Sequence, residues 1–552
     1  MKRFVLILFL GLSIFIGPST STFSSSQDAP LYDYSASTEC KSVPEDPLYN
    51  GGIIKKQAFE IPINSTGFVL NNLKGDMIYA FSCWIKITGA DSALIKTTLR
   101  TDQNQTTFNC TGNVLAKKGC WSFLKGGFLL ESPLSINAFI YFNNIDGKQI
   151  NVSVSSASIQ PFTRQQWEKS REHVINTERK RDTTLHVLDV DGNRLHGAKV
   201  VVNQVSRDFP FGTAISALIL ENKQYQKWFL ERFNTAVFEN ELKWKWTEPE
   251  QGKVNYTIPD RMLQLLRTKQ ISVRGHNVLW QSQTHVPSWA KNLTTSKLKS
   301  AVRSRIHSVM KRYKNEFVHW DVNNEMLPYD FYDQRLGPNA SIEIFKKAQG
   351  LDPRARLFMN EFNVLENCDG QCAVDRYVER LRELMDNGVE NLGIGLQSHF
   401  YDPNPALIRG VMDKLATLKL PIWMTEVDIS KRIEDKQLKA KYLEVALREG
   451  FSHPSVNGIM LWTAWHPNIT NCYRTCLQDD KFKNFPTGDT VDKLLKEWQT
   501  RKVKGRTDHH GIFNFSGFLG DYKVCVEYKN ITTETTLSLG RGHETKHWNI
   551  YL

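Results

Sequence analysis

Between residues 208 and 501 two kinds of hydrophobic pattern take turns. Short apolar runs at 209–212, 233–238, 271–276, 317–322, 356–359, 392–396, 420–424 and 458–462 read as strands. In the gaps, apolar residues recur at three- and four-residue spacing. That predicts amphipathic helices at 256–269, 297–313, 374–385, 406–418 and 437–448. Eight strands, each followed by a helical pattern, over about 290 residues are what a (β/α)8 TIM barrel requires. A doubly wound open sheet is the alternative α/β fold, but no glycine-rich phosphate loop follows the first strand.

The pattern changes on both sides of this region. Residues 46–162 show short alternating runs punctuated by Gly, Asn and Asp, which predicts a β-sandwich module. A charged, polar linker helix is expected at 163–181. At 182–207, Leu185-His-Val-Leu-Asp-Val, a turn at Asp191-Gly-Asn and Ala198-Lys-Val-Val-Val read as a β-hairpin. The tail, 508–552, is again β in character. A lone hairpin is marginal in water, and sheets commonly hold about five or six strands. The segments flanking the barrel at 208–501 are therefore expected to pair into one small β-rich module. In it Val187, Val190, Val200 and Val202 would pack against Phe513, Phe515, Val524 and Val526.

The first residues carry a different signal. Lys2-Arg3 precede an apolar run at 4–16, about 20 Å of helix and too short for a bilayer. A secretory signal peptide is expected at 1–24, then a polar linker at 25–45. No later segment reaches 18 apolar residues, so a membrane partner is not expected. Asn-X-Ser/Thr sequons at Asn64, Asn104, Asn109, Asn151, Asn255, Asn292, Asn339, Asn468, Asn514 and Asn530 suit a secreted glycoprotein. Cys368/Cys372 and Cys472/Cys476 read as local disulfides in an oxidising compartment, and the nine cysteines leave at least one thiol unmatched. Neither pair has metal-ligand spacing to a second pair. Formal net charge is +12, from 70 basic and 58 acidic residues, with two of the positives in the leader. No Lys/Arg run or aromatic–basic motif accompanies it, so nucleic acid is not indicated.

In a (β/α)8 barrel the functional residues stand where strands end at the C-terminal face. Those ends carry Glu239-Asn240 with Lys243-Trp244, His276 with Trp280, Asn324-Glu325, Asn360-Glu361, Gln397 with His399, Glu426 with Asp428, and Trp462. Carboxylates, amides, imidazoles and indoles at one rim suit a polyol: polar groups for hydroxyls, indole faces for sugar C–H faces. Glu325 and Glu426 end the fourth and seventh strands. Paired carboxylates of this kind are the equipment of glycosidic-bond cleavage.

The strings Phe238-Glu-Asn-Glu-Leu-Lys-Trp, Val273-Arg-Gly-His-Asn-Val-Leu-Trp, His319-Trp-Asp-Val-Asn-Asn-Glu-Met, Leu396-Gln-Ser-His-Phe and Trp423-Met-Thr-Glu-Val-Asp-Ile resemble, in order and spacing, glycoside hydrolase family 10, the endo-β-1,4-xylanases. The frame resembles the plant members. Tyr49-Asn-Gly-Gly-Ile-Ile and Gly119-Cys-Trp-Ser-Phe-Leu-Lys-Gly-Gly resemble a carbohydrate-binding module of family 22. The resemblance implies Glu325 as acid/base and Glu426 as nucleophile of a retaining double displacement, which needs the carboxyl groups about 5–5.5 Å apart. It implies Asn324 on the sugar 2-hydroxyl and His399 holding the nucleophile. His276, Trp280, Gln283 and Gln397 would line the cleavage subsite. Glu239, Asn240 and Lys243 would bind the next sugar toward the non-reducing end, Trp462 would close the cleft, and Asp428 would support the end of strand seven. No cofactor or metal is implied.

The expected substrate is xylan, including arabinoxylan or glucuronoxylan, acted on by a monomer in the extracellular space or cell wall. A xylan endotransglycosylase would use the same residues, and another β-glycanase the same barrel. A non-catalytic xylan-binding barrel would have lost Glu325 or Glu426, and both are present. The chain departs from plant relatives at Pro328-Tyr329, where they usually have His-Gly. It also departs in the loop at 465–479, where Tyr473 stands in place of the second Trp of microbial members, and in a shortened stretch near 56–68.

Overall fold

Eight parallel strands close on themselves in the computed structural model, which describes residues 20–21, 31–101, 110–131, 137–368, 370–462, 464–467 and 475–552. They are β1 (Phe211–Ile215), β2 (Thr235–Phe238), β3 (Ser272–Trp280), β4 (His319–Asn324), β5 (Arg356–Glu361), β6 (Leu392–Leu396), β7 (Ile422–Ile429) and β8 (Val456–Leu461). Each pairs in parallel with its sequence neighbour, and β8 pairs with β1. This is the expected barrel. Helices cover its outside, including Thr257–Arg267, Thr295–Arg312, Val374–Asp386, Pro405–Ala416 and Lys436–Ser452, within a few residues of their sequence signals. Lys223–Arg232, Ala340–Leu351 and Pro486–Glu497 complete the ring without having been singled out by periodicity. Inside the barrel the packing is tight: a Cβ on Gly458 would lie 2.6 Å from the Trp423 indole, so only glycine leaves room for that ring.

The segments flanking the barrel do share one module. Lys180–Leu188 lies between Ile512–Phe518 and Lys546–Tyr551 in one sheet. Lys199–Gln204 lies between Val503–Arg506 and Gly520–Tyr528 in the other, with Ile531–Leu539 at its edge. The expected hairpin does not form. Its two strands belong to opposite sheets, with Leu185 and Val187 facing Val200, Val202, Val524 and Val526 across one core. The connection turns at Asp189, whose carboxylate accepts the N–H groups of Asp191 (3.0 Å) and Asn193 (2.7 Å). Val190 rides on that turn at 83% exposure and is not a core residue.

The N-terminal module is a two-sheet β-sandwich. Ser65–Leu70, Ala138–Asn144, Ser92–Thr101 and Cys110–Lys117 form one sheet. Ile53–Lys55, Asn151–Thr163, Met77–Thr88 and Ser122–Leu130 form the other. Two stretches expected as linkers are docked instead. Tyr32 is buried against Phe162 and Trp167, and Cys40 is joined to Cys120, so the chain from residue 31 is held to the module. The helix Arg164–Val174 starts in a Thr163/Gln166 capping box and buries Trp167, whose Nε1 donates to Glu449 of the barrel (2.8 Å).

The cysteines pair over long range. Cys110 of the module's edge strand is joined to Cys368 on the loop after β5, which rules out the expected Cys368/Cys372 pair. That loop reaches the module, so Cys368 meets a sulfur from another domain before its sequence neighbour. Cys476 is disulfide-bonded, and its expected partner Cys472 lies outside the described residues, as does Tyr473. Cys83 is a buried free thiol. Nearly all of the leader, and Asn104, Asn109 and Asn468, also lie outside the described residues. No described helix is long and apolar enough to cross a membrane.

Two predictions follow from these contacts. Removing residues 506–552 strips Lys180–Leu188 and Lys199–Gln204 of most partners, so their amides should lose hydrogen-exchange protection while β1–β8 keep theirs. Unchanged protection would show that the sheets are independent. Second, Lys125 of the module and Asp413 of the barrel form an ion pair at 2.7 Å with both side chains buried. Asp413→Ala leaves the ammonium buried with only the Asp33 and Ser35 carbonyls and no counter-charge, and should cost about 3–5 kcal/mol in chemical denaturation. A loss below about 1 kcal/mol is what an exposed pair gives and would contradict the burial.

Candidate active site

Each functional side chain is delivered by a strand end. Glu239, Asn240 and Lys243 follow β2, Trp280 ends β3, and Asn324 ends β4 with Glu325 next. Asn360 and Glu361 close β5, and Gln397 follows β6. The short strand His399–Phe400 pairs with β7 so that His399 stands beside Asp428. Glu426 and Asp428 are both on β7, and Trp462 follows β8. They surround a cleft of about 1250 Å³ lined by Glu239, Asn240, Lys243, Trp280, Glu325, Gln397, His399, Glu426 and Trp462.

Glu325 is 8% exposed and sits at φ 57°, a left-handed conformation uncommon for a non-glycine residue. Its surroundings hold it there. The Glu325 N–H donates to the Asn360 carbonyl (3.1 Å). The buried Glu361 carboxylate accepts the next two N–H groups, from Met326 (2.9 Å) and Leu327 (3.2 Å). The Glu325 carboxyl accepts from Trp280 Nε1 (2.7 Å) and Gln397 Nε2 (3.0 Å). Burial pushes its pKa above the usual carboxylate range, and the charge of Glu426 adds to this, against those two hydrogen bonds.

Glu426, 5% exposed, is held differently. Asn360 Nδ2 donates to its Oε1 (2.9 Å), and His399 Nε2 lies 3.5 Å from its Oε2. His399 Nδ1 lies 3.0 Å from Asp428 Oδ2. Burial alone would lower the imidazole's pKa, but the charge and hydrogen bond of Asp428, with Glu426, raise it from 6.5 to about 10. Burial alone would raise Glu426. The His399 hydrogen bond, the positive potential of His276 and His399, and the Asn360 hydrogen bond overcome it and hold the carboxylate at about 2.

Other expected residues are placed as follows. His276 is buried beneath the cleft, its Nδ1 2.9 Å from Asp321 Oδ2, with Arg274 Nη2 2.6 Å from the other oxygen. Its ring packs edge-on to Trp280 and Trp462. Asn324 is buried too, its Oδ1 accepting from Asn360 Nδ2 (2.9 Å). His276 Nε2 and Asn324 Nδ2 have no hydrogen-bond partner among the described residues. Lys243 donates to Asn240 Oδ1 (3.0 Å), and its ammonium lies over both indoles, 5.2 Å from Trp280 and 5.6 Å from Trp462. Gln283 is a correction: it is exposed on a short 3-10 turn outside the cleft lining, which Ser282, Thr284 and His285 supply instead. The His285 ring lies 3.5 Å from that of Trp280, and burial, then the charges of Lys245 and Lys243, lower its pKa to about 3.

Asn360 and Glu361 were legible as strand-end residues but not as the groups that tie the two glutamates into one frame. The module's contribution to the cleft, Lys96, Thr98 and Cys110, had no sequence signal pointing to this site. No group of three or more potential metal ligands occurs among the described residues.

A closed (β/α)8 barrel with two unlike carboxylates at its C-terminal rim, framed by amides and indoles, defines the class of glycosidases. The model of glycosyl hydrolase family 10 matches residues 201–491, and the chain belongs to that family. It is similar to endo-1,4-beta-xylanase 4 of Arabidopsis thaliana, 33% identical with 98% of each chain covered. Endo-1,4-beta-xylanase 5 of the same plant is 35% identical, with 93% of this chain and 89% of the relative covered. Xylanase 10B from Thermotoga petrophila, solved in complex with xylobiose, superposes with a TM-score of 0.47 at 23% identity, covering 52% of this chain and 94% of that one.

The electrostatics set a pH signature. His399, raised from 6.5 to about 10, contributes stability fully below about pH 6.5 and loses it as pH rises through 10. Glu426, depressed from 4.5 to about 2, contributes above about pH 4.5 and loses it as pH falls through 2. Asp428→Asn removes the largest charge holding His399 cationic, so the Glu426 pKa should climb. The acidic limb of kcat/KM on an aryl glycoside with a good leaving group should then move to higher pH. An unmoved limb would mean that His399 is not what keeps Glu426 ionised.

Proposed function

We propose that the protein is a secreted endo-1,4-β-xylanase that cleaves xylan, arabinoxylan and glucuronoxylan with retention, Glu325 acting as acid/base and Glu426 as nucleophile. The observation that carries this reading is the unlike treatment of the two carboxyls. Burial favours a proton on Glu325, while His399 and Asn360 keep Glu426 ionised. Environments that drive two carboxyl pKa values apart support unlike roles, the protonated group as acid and the ionised one as nucleophile.

In the first displacement Glu426 Oε2 attacks the anomeric carbon and Glu325 gives its proton to the departing oxygen. The covalent step neutralises Glu426, whose charge adds to burial in raising the Glu325 pKa. That pKa then falls, so Glu325 stays ionised and is available to take the proton of the water that completes the reaction. Asn324 Nδ2 and His276 Nε2, both without protein partners among the described residues, suit sugar hydroxyls beside Glu426. Trp280 and Trp462 are fixed by His276 and Lys243, which suits a rigid wall that excludes a hydroxymethyl group on carbon five. The names of the Arabidopsis relatives support xylan as substrate. Export rests on the leader and on the seven described sequon asparagines, all of which are exposed.

Glu426→Ala should abolish hydrolysis of xylan and of aryl xylosides alike. Glu325→Ala should abolish xylan hydrolysis yet still form the glycosyl-enzyme from an aryl xyloside whose leaving group needs no proton. Azide should then restore turnover of Glu325→Ala and give a β-configured product, read by NMR. An α-configured product would establish inversion and overturn the double displacement.

A further inference from the structure

The N-terminal module forms part of the cleft wall. Lys96 and Thr98 on Ser92–Thr101, and Cys110 on the adjoining strand, line the same cleft as Glu325 and Glu426. Their position is fixed. The Cys110–Cys368 disulfide ties this sheet to the loop after β5. Nearby, the Leu115 N–H donates to Asp375 (2.7 Å) and Asn404 Nδ2 to the Gly127 carbonyl (2.9 Å). Gly126 lies so close to the helix Pro405–Ala416 that a Cβ on Gly410 would come within 2.8 Å of its Cα.

Strand order says which end of the cleft this is. In a closed ring of eight, β2 faces β6. The module meets the loops after β5 and β6, so it stands across the two glutamates from Glu239, Asn240 and Lys243. If those three bind the non-reducing side, the module borders the leaving-group side.

Two observations point to a ligand there. Thr98 is 2% exposed, and its Oγ1 has no hydrogen-bond partner among the described residues, a costly state for a buried hydroxyl unless something fills it. The charge is also uneven. Lys96, with Lys431 and Arg432 after β7, lines the same cleft, and none of the three has an ion pair among the described residues. The acids nearby are engaged: Asp402 with the Tyr442 hydroxyl, and Glu366 with the His399 N–H (2.8 Å).

We propose that Lys96 and Thr98 of the sandwich, with Lys431 and Arg432 of the barrel, form a binding site for the carboxylate-bearing, uronic-acid-substituted stretch of polysaccharide on the leaving-group side. This rests on the functional reading above. The module is then a fixed wall of one composite cleft.

The test compares KM for a xylo-oligosaccharide carrying a glucuronic acid branch with KM for an aryl xylobioside, which places no sugar beyond the bond broken. Lys96→Ala should raise the ratio of the two about fivefold, with kcat little changed, and weaken its dependence on salt, as expected for loss of one partly exposed charge contact. Thr98→Val keeps the side-chain volume and removes no protein hydrogen bond. It should raise the same ratio while Tm stays level or rises. An unchanged ratio in both variants, or a Thr98→Val that loses Tm with its ratio intact, overturns the site. If the wild type cleaves neither substrate, the xylanase reading fails. Calorimetric binding of the branched oligosaccharide to Glu426→Ala, with and without Lys96→Ala, then still decides this one.

Discussion

In the roles proposed above Glu325 and Glu426, both buried at one rim, hold opposite protonation states at the same pH. That demand organises the top of the barrel. Glu426 stays ionised because His399 is a cation, and His399 is a cation because Asp428 stands against its other nitrogen. Asp428 stands there because two residues, His399 and Phe400, pair with β7 instead of running straight into the next helix. On the other side Glu325 is placed by a left-handed backbone that the buried Glu361 secures through the next two N–H groups. Asn360 joins the halves, its side-chain amide donating to Asn324 and Glu426 while its Oδ1 accepts from the Thr425 hydroxyl. Strands β4, β5 and β7 are coupled by one amide, and a shift in any of them displaces both carboxyls.

The same logic of buried charge fixes the module to the barrel. Asp413 meets Lys125, the Tyr32 hydroxyl (2.7 Å) and His453 Nε2 (3.0 Å), none of them on its own helix. Glu449 accepts from Arg409 (2.5 Å), Trp167 Nε1 (2.8 Å) and Arg171 (3.3 Å). Charges taken out of water are tolerated only when donors converge on them, and they penalise any other arrangement of the same surfaces. The Asp413 centre and the Cys110–Cys368 disulfide hold the sandwich itself, and the Glu449 centre holds the helix that leads from it to the barrel. Apolar contact alone would leave the sandwich free to slide.

Most of this was legible where chemistry follows local pattern. The eight strands and their alternation with helices identified the barrel, and strand-end position placed Glu325 and Glu426 at its rim, since both need only short-range sequence. The failures have two causes. Gln283 was carried over from the family resemblance, but a 3-10 turn after β3 leaves it outside the cleft lining and brings His285 onto the indole. The hairpin at 182–207 was placed by spacing, while the sheets are chosen by partners more than 300 residues away in the tail. Cys368 was matched to its neighbour when its partner lies 258 residues earlier. The hairpin and the cysteine pair both replaced a contact set by tertiary packing with one set by sequence distance.

The composite cleft shows instead in the burial pattern of the module's strands. A sandwich strand with one wet face alternates apolar and polar residues. Ser92–Thr101 is instead buried in runs, Ala93-Leu94-Ile95 and Thr97-Thr98-Leu99, broken by Lys96. Met77–Thr88 carries nine successive buried residues, and Ser122–Leu130 seven. Loss of alternation means that both faces are covered, one by the module's own core and the other by a neighbour. For Ser122–Leu130 that neighbour includes the barrel helix Pro405–Ala416. On this reading the polar residues among such runs stand where one domain meets another. Lys96 and Thr98 are two of them, and the cavity they meet is the one that holds the glutamates.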